Sequence, residues 1–180
     1  ELRTPLQAIV GYASMMERGV ARDLPKAIAA ILRNATAQTR LIEDILDVSR
    51  IASGKLRLSM ARIDVASAVS AAIEAMRPAA IARKVRLVES IPKDVGEIVA
   101  DFDRLQQVVW NLVSNAVKFT EPGGEVRIEV AKIGSTIRIV VRDTGKGIPR
   151  EHLKSIFERF RQVETSTTRQ QGGLGLGLAI

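Results

Sequence analysis

The chain contains no cysteine, so it has neither disulfide bonds nor thiolate metal ligands. Aromatic residues make up only 3% of its 180 residues while 46% are hydrophobic, which predicts a core built from aliphatic side chains. No apolar run approaches the ~20 residues that cross a bilayer, and no signal peptide is recognisable. These absences exclude a disulfide scaffold and predict no membrane segment in this stretch.

Charge gives little support to a nucleic-acid-binding function. The formal net charge is +7, but the excess of Lys and Arg is spread over both halves of the chain. It is not interleaved with aromatic side chains, as it is on many nucleic-acid-binding surfaces. The chain starts at Glu1 and stops at Ile180 inside an apolar helical pattern. We therefore expect it to be a segment of a longer protein.

Two apolar heptad stripes predict a helical hairpin at the N-terminus. The first stripe runs over 2–20 and the second over 24–49, with Asp23 as the N-cap of the second helix. Pro5 lies inside the first pattern and predicts a kink there. The second stripe is wider than a two-stranded seam requires, so we expect a homodimer through residues 1–56 that forms a four-helix bundle. Packing against another part of a longer protein is the alternative.

The rest of the chain combines helix and strand patterns. A linker at 57–64 is followed by a third helix, at about 65–83, and by a region that alternates apolar and charged residues. The alternation predicts strands with one buried and one solvated face at 126–130 and 137–141, and short strands on either side of a Pro/Asp/Gly turn are predicted at 85–88 and 98–100. The predicted fold is two-domain: an all-α antiparallel hairpin, then, over 65–180, an α/β sandwich with a mixed sheet and helices on one face.

The longest continuous pattern, at 101–120, predicts an amphipathic helix with an unusual polar face. Asn111, Asn115 and Lys118 follow one another at spacings of four and three, so they share one side of the helix. Amide oxygens suit a Mg²⁺ ion that also binds phosphates, and a lysine can bind the same phosphates. The simpler alternative is the solvated side of an ordinary helix. An aspartate at either 101 or 103 can cap the helix start.

Two glycine-rich segments follow. In the first, Asp143 comes at a strand end before Gly145 and Gly147, where glycines let the backbone approach a flat ligand and the carboxylate can accept from an exocyclic amine. In the second, 172–178, four glycines open a helical pattern whose free amides favour phosphate. The alternative for the first segment is a simple turn into a helix that starts near Pro149, and a single glycine loop like the second is weak evidence by itself. The polar run at 165–171 between them has the composition of a mobile lid.

Five segments together, in this order and spacing, resemble the H, N, G1, F and G2 boxes of bacterial sensor histidine kinases. They are Glu-Leu-Arg-Thr-Pro-Leu at 1–6, Asn-Leu-Val-Ser-Asn-Ala-Val-Lys-Phe at 111–119, Asp-Thr-Gly-Lys-Gly-Ile at 143–148, Phe-Glu-Arg-Phe at 157–160 and Gly-Gly-Leu-Gly-Leu-Gly-Leu at 172–178. The resemblance covers nearly the whole chain. It implies a kinase core whose ATP-binding domain belongs to the gyrase, chaperone and histidine kinase superfamily.

The resemblance also implies roles for individual residues, with ATP and Mg²⁺ as cofactors. Asn115 would be the principal Mg²⁺ ligand, with Asn111 nearby at the catalytic water or metal. Lys118 would reach the phosphates, and Asp143 would receive the adenine amino group. The other implied contacts, which shape the adenine pocket or hold the lid and phosphates, are Gly145, Gly147, Gly173, Gly175, Gly177, Arg159 and Arg169. Phe157 and Phe160 would anchor the lid.

The chain departs from the family pattern in three places. The phosphoacceptor histidine is expected immediately before Glu1, outside this chain, and His152, the single histidine, is predicted to be a surface residue. Leu174 stands where the family commonly has threonine, and the last helix and strand of the ATP domain are expected beyond residue 180. By the resemblance, Glu1 would accept from the acceptor imidazole, and Thr4 would position a water for regulator dephosphorylation.

The implied function is Mg-ATP-dependent phosphorylation of that upstream histidine. The phosphoryl group would then pass to an aspartate in the receiver domain of a response regulator, with regulator phosphatase as a possible second activity. The implied partners include an upstream sensory domain, and the implied location is cytoplasmic, in a protein with or without a membrane anchor. One alternative is a non-catalytic nucleotide-gated dimeric scaffold, which an upstream residue other than histidine would favour. The other, a gyrase-like or mismatch-repair ATPase, lacks the heptad hairpin.

Overall fold

The structure, a computed structural model, describes residues 2–158, 161 and 175–179, and Arg40 by its backbone alone. The chain divides into two compact units, one made of residues 1–56 with 157–180 and the other of residues 57–156. The regular elements in chain order are α1 (Arg3–Glu17), α2 (Leu24–Ala52), β1 (Ala61–Asp64), α3 (Val65–Ala82), β2 (Arg86–Ser90), β3 (Glu97–Ala100), α4 (Phe102–Phe119), β4 (Glu125–Ile133), β5 (Thr136–Asp143) and a 3₁₀ helix (Arg150–His152).

The first unit contains the predicted hairpin of α1 and α2. Asp23 caps α2, since its carboxylate accepts from the backbone N–H of Lys26 at 2.9 Å. Pro5 is the third residue of α1, so its missing N–H falls where a helix has no intrahelical partner for it. The described part of α1 begins only two residues before Pro5, so the expected kink at Pro5 stays a prediction.

The second unit is an α/β sandwich, as predicted. β4 pairs in parallel with β2 and antiparallel with β5, which makes a mixed three-stranded sheet, while β1 and β3 form a separate antiparallel pair. Along β4, Val126, Ile128 and Val130 are buried beneath the helices and alternate with more exposed residues. The helices therefore cover one face of the sheet, which confirms the predicted fold class.

Helix α3 is the most apolar element of this unit. Among the described residues it is the one helix whose length and composition, with a mean hydropathy of 1.2 over 18 residues, would allow it to cross a membrane. Its apolar side chains, including Val65, Val69 and Ile73, are fully buried in the core with α4 and the sheet. Burial against α4 and the sheet accounts for this composition, as it does for many core helices.

Asp101 fixes the start of α4 and also holds the linker. Its Oδ1 accepts from the backbone N–H of Arg104 at 3.1 Å, so Asp101, not Asp103, is the N-cap. Its Oδ2 accepts from the backbone N–H of Ser59 at 2.8 Å, 42 residues earlier in the chain. These bonds, the one from Ser59 first, hold the pKa of the Asp101 carboxyl below its usual range. The linker before β1 is thereby tied to the helix that carries the predicted site.

The segment after β5 is less regular than the sequence suggests. A helix is expected to start near Pro149, but the structure has only the 3₁₀ helix followed by turns up to Phe157. The imidazole of His152 is partly exposed and lies 3.6 Å from a carboxylate oxygen of Glu151. Local polar contacts of this kind, with few buried apolar side chains, do not supply the packing that stabilises a longer helix.

Candidate functional site

Helix α4 carries the three predicted polar residues on a side that is not fully solvated. Asn111 is 7% exposed, and Asn115 and Lys118 are half-buried. Neither amide group forms a hydrogen bond with another residue in the part of the chain that the structure describes. Neither amide is among the buried side-chain polar atoms that lack a partner in the described residues, so both amide groups retain contact with solvent. Both amide oxygens are therefore accessible to a ligand, and the solvated-face interpretation stays open beside the metal-binding one.

The last turn of α4 is held by side chains. The hydroxyl of the buried Thr120 donates to the carbonyl of Ala116 at 2.7 Å. The guanidinium of Arg83, just after α3, donates through Nε to the carbonyl of Val117 at 3.1 Å and through Nη2 to that of Lys118 at 2.7 Å. Carbonyls that the helix end would leave without partners are therefore satisfied. The turn that bears Lys118 is anchored to a neighbouring helix.

The loop after β5 packs directly against this helix end. A Cβ atom added to Gly145 would lie 2.5 Å from the carbonyl oxygen of Phe119, so only glycine allows the approach. The backbone N–H of Gly145 donates to Oδ1 of Asp143 at 2.9 Å, which shapes the loop. Gly147 has a φ of +68°, in the left-handed region that favours glycine. Asp143 and Gly145 are thereby brought to the end of the helix that carries Lys118.

The carboxylate of Asp143 is itself exposed, so its second oxygen can accept from a ligand. The loop is further fixed by Thr144, whose hydroxyl accepts from the backbone N–H of Glu125 at 3.0 Å. Five predicted residues, Asn115, Lys118, Asp143, Gly145 and Gly147, together with the buried Asn111, therefore belong to one α4–loop region of the second unit.

The remaining predicted residues lie elsewhere or are not described. Gly175 and Gly177 belong to the first unit, where Gly175 has a φ of +67° and a Cβ on it would meet the carbonyl oxygen of Arg161 at 2.6 Å. Thr4 is exposed in the first turn of α1. The predicted residues Glu1, Arg159, Phe160, Arg169 and Gly173 lie outside the described residues.

Two residues of the α4–loop region escaped the sequence analysis. Arg83 donates hydrogen bonds to carbonyls 34 and 35 residues later in the chain, and no local sequence pattern predicts hydrogen bonds over that separation. Phe119 carries the carbonyl on which Gly145 packs, and its ring lies 5.0 Å from Nζ of Lys118 and 5.2 Å from Nζ of Lys146. Its position directly after Lys118 was visible in the sequence, but the contact with Lys146 depends on the fold.

A divalent metal at this region would need an unusual set of protein ligands. Within the described residues there is no group of three His, Cys, Asp or Glu that could hold a metal ion. The donors present are the amide oxygens of Asn111 and Asn115. Mg²⁺ accepts few protein ligands when phosphate and water oxygens complete its octahedron. The residues therefore fit a Mg²⁺ ion that arrives with a phosphate ligand.

Known protein families match both the N-terminal and the C-terminal part of the chain. Residues 1–54 match the family model of the His Kinase A (phospho-acceptor) domain, and residues 100–180 match that of the histidine kinase-, DNA gyrase B- and HSP90-like ATPases. The relatives include hybrid signal transduction histidine kinase D of Dictyostelium discoideum, 38% identical over 100% of this chain and 12% of its own length. They also include signal transduction histidine-protein kinase BaeS of Escherichia coli, 32% identical over 100% of this chain and 38% of its own.

Solved structures give the same assignment. Full-length ShkA in complex with AMPPNP is similar with a TM-score of 0.69 and 30% identity, over 98% of this chain and 37% of that one. The chain thus spans less than half the length of each of these relatives. The two family matches, the relatives and the fold agree on one assignment: this chain belongs to the sensor histidine kinase family and has the architecture of its catalytic core.

Proposed function

We propose that this chain forms the catalytic core of an ATP-dependent protein histidine kinase. The observation that carries the proposal is the contact between the carbonyl of Phe119 and Gly145, which joins the Asn111, Asn115 and Lys118 side of α4 to the loop bearing Asp143. One region then offers a carboxylate for an amino group, a cation for phosphates and amide oxygens for a metal. The AMPPNP bound to the related ShkA supports ATP as the ligand.

Each residue has a distinct task in this proposal. The carboxylate of Asp143 accepts from the exocyclic amine of adenine, while Gly145 and Gly147 allow the base to approach the backbone. Lys118 binds the phosphates as a point charge. Asn115, with Asn111 beside it, would hold Mg²⁺ through amide oxygens. A Mg²⁺ ion held there would supply positive charge that neutralises the ATP phosphates. By family resemblance, Gly173, Gly175 and Gly177 would hold the lid and the phosphates, and Arg159 and Arg169 would contact the phosphates.

The transfer itself is a displacement at phosphorus. The imidazole nitrogen of the histidine expected before Glu1 forms the N–P bond as the bond between Pγ and the β,γ-bridging oxygen breaks, and ADP leaves. Glu1 accepts from the other imidazole N–H and makes the ring a better nucleophile. In a second step an aspartate oxygen of a response regulator takes the phosphoryl group, and the N–P bond breaks. Thr4 then positions a water for regulator dephosphorylation.

The kinase activity can be tested by labelling from γ-phosphate. A chain extended upstream to include the residue before Glu1 is expected to become labelled, whereas residues 1–180 alone are not, because His152 is not the acceptor. In the extended chain, Glu1→Ala is expected to reduce the rate of labelling about 100-fold or more, since acid–base assistance contributes about 10²–10⁴-fold. Thr4→Ala should leave labelling intact and slow regulator dephosphorylation.

The control is Thr36→Ala, an exposed residue of α2, which should change neither rate. Label on residues 1–180 alone would contradict the assignment of the acceptor. An extended chain that binds ATP but never becomes labelled would instead favour the nucleotide-gated scaffold.

The metal role of α4 is tested with Asn115→Asp. The added carboxylate changes the charge and geometry of the ligand set, so we expect the Mg²⁺ dependence of turnover to shift about tenfold or more and kcat to fall. A Mg²⁺ titration of ATP turnover measures both. Gln106→Glu makes the same amide-to-carboxylate change two turns earlier on α4 and should leave the titration unchanged. If Asn115→Asp also leaves it unchanged, Asn115 is not a metal ligand.

We also propose a homodimer through residues 1–56. Large apolar side chains stay exposed on the described hairpin; they include Leu6 (48%), Val10 (57%), Leu32 (62%) and Ile42 (46%). Apolar area of this kind gains about 25 cal/mol per Å² when a second copy covers it. The heptad pattern of both helices fits a four-helix bundle of two hairpins. The other proposed partners are an upstream sensory domain and the receiver domain of a response regulator. The proposed location is the cytoplasm, where ATP is available.

A further inference from the structure

The side chain of Arg83 binds the last turn of α4 through two different nitrogens. Its Nε donates to the carbonyl of Val117 at 3.1 Å, and its Nη2 donates to the carbonyl of Lys118 at 2.7 Å. In a longer helix the carbonyl of Lys118 would accept from the N–H of residue 122, but Pro122 has none. Because the donors of a planar guanidinium are fixed relative to one another, bonds to two successive carbonyls fix the orientation of the turn as well as its position.

The backbone that carries Arg83 is also bonded to the chain just after α4. Lys84 ends α3 in the left-handed region, with a φ of +58°. Its carbonyl accepts from the N–H of Gly123 at 2.8 Å, and the N–H of Arg86 donates to the carbonyl of Gly124 at 3.0 Å. The guanidinium of Arg83 is therefore held close to the end of α4 by backbone hydrogen bonds that do not involve its own side chain.

The turn that Arg83 binds carries the candidate phosphate-binding lysine. Val117 and Lys118 provide the two carbonyls, and the next residue, Phe119, provides the carbonyl that packs on Gly145. A lysine ammonium group lies at the end of a flexible four-carbon stem, so a small rotation of its backbone displaces it by a larger distance. The positive charge of Arg83 also suits this place, since a helix C-terminus attracts cations. Arg83 thus acts on the backbone of Lys118, whatever the ammonium group contacts.

We propose that Arg83 is a positioning residue of the nucleotide site, which orients the last turn of α4 so that Lys118 meets the phosphates. This inference rests on the proposed nucleotide-binding function and deepens it, because Arg83 acts on the phosphate contact and not on adenine. The alternative roles for an arginine at this place are direct contact with the phosphates and a contribution to stability alone. The three roles give different results when Lys118 is replaced as well.

The test is a double-mutant cycle of Arg83→Met and Lys118→Gln in the full-length protein, with ATP affinity measured by calorimetry and adenosine affinity by displacement of ATP. Arg83→Met removes the donors at similar side-chain length. It is expected to weaken ATP binding about fivefold, as the loss of one partly exposed phosphate contact does, and to leave adenosine binding unchanged. In the Lys118→Gln background it should have no further effect on ATP affinity, since the group that Arg83 positions is absent. Arg83→Lys, whose ammonium group also donates to carbonyls, should recover most of the ATP affinity that Arg83→Met loses.

Arg77→Met is the matched control. Arg77 lies on α3 as well, but it donates to the side chains of Glu74 and Glu89. This variant should bind ATP as the wild type does, and thermal unfolding of both variants separates a loss of stability from a loss of ATP affinity. If Arg83→Met does not fold, Arg83→Gln, whose amide keeps one donating group, takes its place in the cycle.

The outcomes separate this inference from the function on which it rests. A wild-type protein that binds no ATP overturns both. If the wild type binds ATP, the role of Arg83 alone is overturned when Arg83→Met or Lys118→Gln leaves ATP affinity unchanged, when adenosine binding weakens equally, or when Arg77→Met has the same effect. An equal loss with and without Lys118 also overturns it, because Arg83 would then contact the phosphates directly or act on stability alone. A loss that is specific to ATP and disappears in the Lys118→Gln background supports it.

Discussion

Replacing Asp143 by alanine is expected to weaken ATP binding by at least tenfold and to leave no measurable binding at micromolar nucleotide. The amino group of adenine would lose its only charged acceptor, and a hydrogen bond to a charged group contributes ~1.5–3 kcal/mol, or about 10- to 150-fold in affinity. The exposed carboxylate already accepts from the N–H of Gly145, so alanine also loosens the loop. Calorimetry with ATP measures the sum of both effects.

Asp143→Asn separates the two effects. Its amide retains an oxygen for the N–H of Gly145, but its NH₂ group faces the ligand as a donor. Guanine has a carbonyl where adenine has an amine, so this variant should lose preference for ATP over GTP. Asp94→Ala, an exposed aspartate between β2 and β3, is the control and should bind ATP normally. Unchanged ATP affinity in Asp143→Ala would remove Asp143 from the adenine site.

Placing an aspartate at position 42 is expected to abolish the dimer. Ile42 is 46% exposed on the hairpin, and the heptad pattern directs it into the seam between two copies. A carboxylate buried there without a partner costs several kcal/mol per copy, which raises the dissociation constant by more than about a hundredfold. Light scattering should report monomers or aggregates. Ile45→Asp, one turn further along the same stripe, should act alike.

Thr36→Asp provides the matched comparison for that change. Thr36 is an exposed residue of α2 outside the apolar stripe, so the same added charge stays in solvent and the dimer should persist. An Ile42→Asp variant that stays dimeric at micromolar concentration would move the interface away from this stripe. The hairpin helices would then be covered by another part of a longer protein, the alternative left open by the sequence.

Local sequence patterns predicted the structure correctly where the interactions that determine it join residues close together in the chain. The cap at Asp23 acts over three residues, and the alternation at 126–130 describes one strand directly, so both could be predicted. The expectation that differs from the structure concerns the segment after Pro149, which has too little apolar packing for a long helix.

The sequence by itself determined the family resemblance, the order of helices and strands and the shared face of Asn111, Asn115 and Lys118, because each depends on residue types at fixed spacings. Only the tertiary structure decided that Asn111 is buried, since its exposure depends on what packs against α4. The fold likewise decided the contacts that unite the candidate site. Arg83 donates a hydrogen bond to a carbonyl at the end of α4, 35 residues later in the chain. Gly145 contacts Phe119 because the loop after β5 lies at the same helix end. Such contacts are set by the packing of whole elements, which residue spacing does not encode.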